Sequence, residues 1–236
     1  MKLSILIPVY NEEKTIERLL KKVNEISILD VEKEIIVIDD GSTDRTNKLI
    51  EKLHKEGKII LIKHDRNQGK GAAIRSGLNH ATGDYTIIQD ADLEYDPADI
   101  ASLLTPIIEK KTEVVYGTRL RRLPNFKRDE RTIRFFIHYI GNKMLSIITS
   151  VFYGQWITDM ETGYKLIPTK VMKTLKLNST GFEMEPEITA KLLKKRYRIY
   201  EVSISTNPRG YKEGKKLNTV KDGFRALWAL IKYRFI

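Results

Sequence analysis

Residues 34–44 read EIIVIDDGSTD, an unbroken apolar run of strand length that ends abruptly in two aspartates, a glycine and a serine. A strand buried on both faces of a parallel sheet reads this way, with turn-forming residues taking over where the strand leaves the sheet. The same pattern recurs along the first half of the chain. Leu3–Val9 is apolar and runs into Tyr10-Asn11-Glu12. Ile59–Ile62, Tyr85–Gln89 and Glu113–Gly117 are three more such runs, and the second of them ends in Asp90-Ala91-Asp92. Helical spacing fills the intervals. Glu12–Ile26 places Ile16, Leu19, Leu20 and Val23 on one face, Asp44–Lys55 follows Ser42 or Thr43 as its N-cap, Gly71–Ala81 is a third helix, and Asp96-Pro97 opens a fourth with proline in its first turn. Strands alternating with helices imply right-handed crossovers, hence an α/β fold with a mostly parallel central sheet flanked by helices.

The rhythm changes after residue 118. Arg119–Arg131 reads as a basic loop, Ile133–Tyr153 as a long amphipathic helix, Gly163–Ile167 as a strand, Glu185–Lys195 as a helix and Ile199–Ser205 as a strand. Leu217–Phe235 carries an apolar stripe of Val220, Phe224, Leu227, Trp228, Ile231 and Phe235 at helical spacing. No repeat or linker divides the chain, so residues 1–236 are expected to form one domain with a C-terminal elaboration of amphipathic helices. Charge does divide it. Residues 1–118 hold 17 basic and 21 acidic side chains, whereas residues 194–236 hold 12 and 3. A basic second half suits phosphates or an anionic membrane face. Its basic segments are not interleaved with aromatics, which argues against nucleic acid.

The absence of cysteine excludes disulfides, zinc–thiolate centres and thiol nucleophiles, and the four histidines show no metal-ligand spacing. No secretory leader is expected, because Leu3–Val9 is short and acidic residues follow at once. The greasiest segment, Ile133–Tyr153, is interrupted by Arg134, His138, Asn142 and Lys143. A spanning helix needs roughly 20 mostly apolar residues, so this one suits a membrane interface better than a membrane crossing.

Ligands of open parallel sheets bind beyond the carboxyl ends of the strands. Three polar clusters fall there: Pro8-Val9-Tyr10-Asn11-Glu12, Asp39-Asp40-Gly41-Ser42 and Asp90-Ala91-Asp92. Asp90 and Asp92 are hard oxygen ligands suited to Mg²⁺ or Mn²⁺, and Glu94 offers a third carboxylate. No glycine-rich dinucleotide fingerprint follows the first strand and no phosphate loop ends in Gly-Lys-Ser/Thr, so dehydrogenase and P-loop readings lose support.

Four strings, SILIPVYNEE, IIVIDDGSTDRT, RNQGKGAAIRSG and QDADLEYDP, together resemble the successive motifs of family 2 glycosyltransferases with the GT-A fold, over about the first 120 residues. The resemblance implies a nucleotide-sugar-binding half, 1–118. In it Pro8, Tyr10, Glu12 and Asp39 surround the base and ribose, Asp40 and Ala91 belong to the same donor set, and Asp90 and Asp92 hold the metal on the diphosphate. More loosely, GTR at 117–119, TDMETGY at 158–164, GFEMEPE at 181–187 and PRGYKEGKKL at 208–217 resemble dolichyl- and polyprenyl-phosphate mannosyl- and glucosyltransferases. That likeness implies an acceptor-binding half, 119–236, with Arg119, Arg131, Arg209 and Lys216 on a lipid phosphate and Arg134 as a rival of Arg131. It implies Asp92, Asp159, Arg119 and Arg209 for the catalytic step.

The chemistry is consistent with that subgroup. A hydroxyl acceptor must lose a proton to a base, whereas a phosphate monoester is already anionic near neutrality and needs only positioning and screening. Expected partners are GDP-mannose, UDP-glucose or UDP-N-acetylglucosamine, a polyprenyl phosphate, an anionic membrane on its cytoplasmic face and a possible membrane-embedded subunit. Transfer to a sugar or protein hydroxyl, nucleotidyl transfer, and a non-catalytic binding or scaffold role are the competing readings.

Overall fold

The computed structural model describes residues 1–119, 133–207 and 219–235, with side chains in the latter two stretches described from residues 139 and 222 onward. The chain runs β1 (Lys2–Val9), α1 (Ile16–Glu25), β2 (Glu32–Asp39), α2 (Thr46–Lys55), β3 (Ile60–Lys63), α3 (Lys70–His80), β4 (Tyr85–Ile88), α4 (Asp99–Ile108), β5 (Val114–Thr118), α5 (Ile133–Tyr153), β6 (Lys165–Pro168), α6 (Thr169–Thr174), α7 (Met184–Lys194), β7 (Ile199–Ser203) and α8 (Thr219–Phe235). The seven strands form one sheet in the order β3-β2-β1-β4-β6-β5-β7.

Six strands run parallel. β6 alone is reversed, paired antiparallel to β4 on one side and β5 on the other. The sheet therefore joins the two halves of the chain, because strands from beyond residue 119 lie between and beside those before it. Alternation along β1 shows the layering. Leu3, Ile5 and Ile7 face a core shared with Leu19 and Leu20 of α1, Ile50 of α2 and Leu103 of α4. Leu6 faces the opposite core, with Ile74 of α3, Met172 of α6, Ile188 of α7 and Leu230 of α8. Both faces of the sheet are covered, as its continuous apolar strands require.

Three helix starts differ from the sequence expectation, α4 among them, since it begins at Asp99 and Pro97 lies in the turn before it rather than in its first turn. α1 begins at Ile16, not Glu12, because residues 12–15 form a turn in which the Glu12 carbonyl accepts the amides of Thr15 and Ile16. Ser42 and Thr43 do not cap α2. Both are tied across to Asn11, Ser42 Oγ by the Asn11 amide at 3.0 Å and Asn11 Oδ1 by the Thr43 amide at 2.8 Å. The short α6 was not anticipated. Among the described residues no helix is long and apolar enough to cross a membrane.

Candidate active site

Parallel pairing brings the carboxyl ends of β1, β2, β4 and β5 to one edge, and the reversal of β6 brings its first residue, Lys165, to the same edge. Tyr10 and Glu12 are partly exposed there, as is Pro8 at the end of β1. The Glu12 amide donates to Thr46 Oγ1 at 2.9 Å and its carboxylate accepts from Thr15 Oγ1 at 2.8 Å, which ties this corner to the start of α2. Asp39, at the end of β2, accepts the Ser42 amide at 3.0 Å.

Asp40 is as buried as Asp39 but holds more of the surrounding chain. It is 3% exposed, and its carboxylate is taken up by protein donors: His64 Nδ1 at 2.6 Å, the Gln68 amide at 2.9 Å and the Gly69 amide at 2.8 Å. His64 is in turn fixed through Nε2 to Ser76 Oγ at 2.8 Å. Asp40, expected among the donor contacts, also anchors the loop before α3. Gly41, at φ 72°, lets that loop close down, since a Cβ there would stand 2.6 Å from the Arg66 carbonyl carbon.

The centre of the edge is a row of alternating charges. Lys70, the first residue of α3, reaches Asp90 Oδ1 at 2.7 Å and Glu185 Oε1 at 3.2 Å, and Lys165 Nζ reaches Glu185 Oε2 at 2.6 Å. Burial opposes the charge on Lys70, but Asp90 and Glu185 outweigh it and raise its pKa above the ordinary lysine value. Burial likewise pushes Glu185 upward, and Lys165 and Lys70 more than reverse it. Gly163 lies against Asp90, where a Cβ would come within 2.7 Å of Oδ2.

Arg119 leaves β5 directly into a bidentate pair with Asp159. Its Nε donates to Oδ2 at 2.7 Å, its Nη2 to Oδ1 at 2.8 Å, and its own amide to Oδ2 at 2.9 Å. Such a fork fixes the guanidinium plane. Glu201 of β7 orients the turn beneath by accepting the amides of Thr158 and Asp159. Beside this pair, burial raises the Glu161 carboxyl to about 7. Tyr95 and Tyr164 stack with ring centroids 4.7 Å apart, and the Tyr95 hydroxyl accepts the Gly163 amide at 3.0 Å.

Sequence reasoning named Asp90, Asp92, Arg119 and Asp159, and the structure brings Asp90, Arg119 and Asp159 to one edge with Asp92 on the same loop. It missed Lys70, Glu161, Lys165, Glu185 and Glu201. Lys70 and Glu185 stand inside quoted motifs, and a lysine opening a buried strand was a signal for Lys165. Glu161 also stands inside a quoted motif, TDMETGY, whereas nothing in the sequence separates Glu201 from a solvated acidic residue. Arg131, Arg209 and Lys216 lie outside the described residues, as does the Arg134 side chain. The amide of Asn207, the last described residue before Arg209, donates to the Glu94 carbonyl at 2.9 Å, so the chain leaves the described region beside the Asp90–Asp92 loop.

The donor set suits a hard divalent cation in part. Asp90 and Asp92 present carboxylates at the strand end, both partly exposed. Yet among the described residues no three His, Cys, Asp or Glu side chains gather closely enough to hold a metal. Leu93, at φ 61°, turns the backbone between Asp92 and Glu94, and the expected trio with Glu94 is not preassembled. Two carboxylates with further positions left for phosphate oxygens and water is the arrangement Mg²⁺ favours, rather than an all-protein cage.

Known proteins resemble the chain in sequence and in shape. It is 31% identical to a UDP-N-acetylglucosamine–dolichyl-phosphate N-acetylglucosaminyltransferase of Methanococcus voltae, over 96% of this chain and 94% of that protein. It is 27% identical to a dolichol-phosphate mannosyltransferase of Pyrococcus furiosus, over 99% of this chain and 64% of the other. Glucosyl-3-phosphoglycerate synthase of Mycobacterium tuberculosis, solved with Mn²⁺, UDP and glucosyl-3-phosphoglycerate, superposes with a TM-score of 0.72 at 18% identity, covering 100% of this chain and 80% of that one. That likeness establishes the GT-A fold. The family model described as "Glycosyl transferase family 2" matches residues 4–175. Since that span carries β1 through β6 and with them Asp39, Asp90, Asp92, Arg119 and Asp159, the chain belongs to glycosyl transferase family 2.

Proposed function

We propose that this glycosyltransferase transfers a sugar, with inversion at the anomeric carbon, from a nucleotide sugar to a polyprenyl or dolichyl phosphate at a membrane surface. The observation that carries this reading is end-to-end similarity to a dolichyl-phosphate N-acetylglucosaminyltransferase, and UDP-N-acetylglucosamine is the first donor to test. The acceptor phosphate brings its own negative charge, so the site needs a held cation more than a base. Arg119, clamped by Asp159, supplies a guanidinium with a fixed plane and, among the described residues, N–H groups left over for phosphate oxygens. A phosphate oxygen attacks the anomeric carbon as the bond to the nucleoside diphosphate breaks. Asp90 and Asp92 would hold a divalent cation, which would supply charge neutralisation for that leaving group.

The membrane part of the proposal rests on exposed apolar side chains. α5 exposes Ile140, Met144, Ile147 and Val151 at helical spacing, and α8 exposes Phe224, Trp228 and Phe235. The two helices touch, with the Tyr153 hydroxyl donating to the Leu230 carbonyl at 2.9 Å. Arg225, Lys232 and Arg234 of α8 are exposed alongside, suited to the anionic lipids of the cytoplasmic leaflet.

One observation favours a second reading. Burial raises the Glu161 carboxyl to about 7, a range that suits a general base for a hydroxyl acceptor. The deciding experiment incubates the purified chain with Mg²⁺ or Mn²⁺ and radiolabelled UDP-N-acetylglucosamine, UDP-glucose or GDP-mannose, with and without polyprenyl phosphate. Label is expected in the lipid phase only when polyprenyl phosphate is present, with release of a nucleoside diphosphate. Asp92→Asn is expected to lower kcat by on the order of 100-fold with the fold intact. Transfer to a hydroxyl acceptor without lipid phosphate, lost in Glu161→Gln, would establish the second reading instead.

A further inference from the structure

We propose that Lys70 is a built-in counter-cation that a metal ion displaces from Asp90, and that the displaced ammonium then engages the donor's diphosphate. The inference rests on the reading that Asp90 and Asp92 hold a divalent cation. Its ground is the asymmetry of the charge row. Lys70 divides itself between two carboxylates, Asp90 at 2.7 Å and Glu185 at 3.2 Å. Glu185 has a second cation, Lys165, at 2.6 Å, and that lysine is fully buried. Among the described residues Asp90 has no cation but Lys70, and it is also the more accessible carboxylate, at 22% side-chain exposure against 6% for Glu185.

A divalent ion arriving at Asp90 meets an ammonium already in place. Like charges a few ångströms apart in a poorly solvated pocket repel strongly, so Lys70 and the metal cannot share the carboxylate without loss. Lys70 has somewhere to go. Its backbone is pinned on both sides, by the Gly69 amide on Asp40 Oδ2 at 2.8 Å and the Gly71 amide on the Thr180 carbonyl at 2.7 Å. Movement is thus confined to the four-carbon stem, which is flexible and carries three donors on its ammonium. Glu185 retains Lys165 when Lys70 swings away. The diphosphate of a donor bound to the metal is the nearest new anion, so exchange turns a resting ion pair into a substrate contact.

The proposal predicts opposite signs for two affinities. Mn²⁺ binding without nucleotide is measured by the electron paramagnetic resonance signal of free Mn²⁺. UDP and GDP are then titrated calorimetrically at saturating Mn²⁺. Lys70→Met is expected to bind Mn²⁺ about 3- to 10-fold more tightly than wild type, because the competitor is gone, and to bind the preferred nucleoside diphosphate about 10-fold more weakly. Lys70→Arg, which keeps the charge, is expected to leave Mn²⁺ affinity at the wild-type level. A purely structural lysine would give the opposite first sign, with weaker Mn²⁺ binding as the loop loosens. Should Lys70→Met fail to fold, the side-chain ammonium ¹⁵N signals of wild type carry the test: Mg²⁺ is expected to shift that of Lys70 and leave that of Lys165 in place. Equal Mn²⁺ affinity in wild type and Lys70→Met, or an unmoved Lys70 signal, overturns the exchange while leaving the metal reading intact. Failure of wild type to bind Mn²⁺ at all overturns both.

Discussion

Asp159 is fully buried and holds Arg119 through three hydrogen bonds. Burial alone would push its carboxyl up, but Arg119 holds it below the usual aspartate value. Removing the arginine strands a buried carboxylate. Arg119→Ala is therefore expected to cost about 3–5 kcal/mol of stability, read as a fall in the urea midpoint, in addition to any loss of acceptor binding. Glu161 shows the reverse behaviour. Burial raises its pKa in the folded protein to about 7, above the ordinary glutamate value of about 4.5, so between those limits the native state keeps a proton that the unfolded chain gives up. Stability from this group is full below about pH 4.5 and is lost as pH rises to about 7. Urea midpoints at pH 5 and pH 8 are expected to differ less in Glu161→Gln than in wild type. This contrast is not legible in the sequence. Asp159 and Glu161 stand two residues apart in one short polar string, and only the position of Arg119 and the depth of burial set them apart. Asp90 and Asp92 were legible because their place after an apolar run already says which end of a strand they occupy.

Strands were legible for the same reason. Each buried strand is a continuous apolar run, and its limits shifted by only a residue or two. The reversed direction of β6 was not legible, because an apolar run carries no mark of which way it pairs. Helix faces were legible by spacing alone, and α8 shows the limit of that. The stripe read along it mixes two environments. Ala226, Ala229, Leu230 and Tyr233 form the buried face, whereas Phe224, Trp228 and Phe235 are 70%, 66% and 79% exposed. A stripe broad enough to serve both core and surface looks the same in one dimension as a stripe serving either. The structure separates the two tests. Trp228→Ala and Phe224→Ala are expected to change stability by no more than about 0.5 kcal/mol and to weaken flotation with anionic liposomes. Leu230→Ala is expected to cost about 2–5 kcal/mol through the cavity it leaves.

At the scale of the whole molecule, β5 has no strand neighbour from the first half of the chain. Its two partners are β6 and β7, which lie about fifty and eighty residues further on. The first 118 residues hold the donor motifs but cannot complete the sheet that carries them. During synthesis from the N-terminus, Val114–Thr118 must wait as an unpaired apolar segment until residues 165–168 have cleared the ribosome. A fragment ending at residue 125 is accordingly expected to aggregate or bind chaperone rather than fold as a nucleotide-binding unit, as sedimentation of the expressed fragment would show. The insertion that brings Lys165 to the donor edge also makes this enzyme a poor candidate for being cut in two and reassembled at its motif boundary: a split placed there would leave each piece with an open sheet edge.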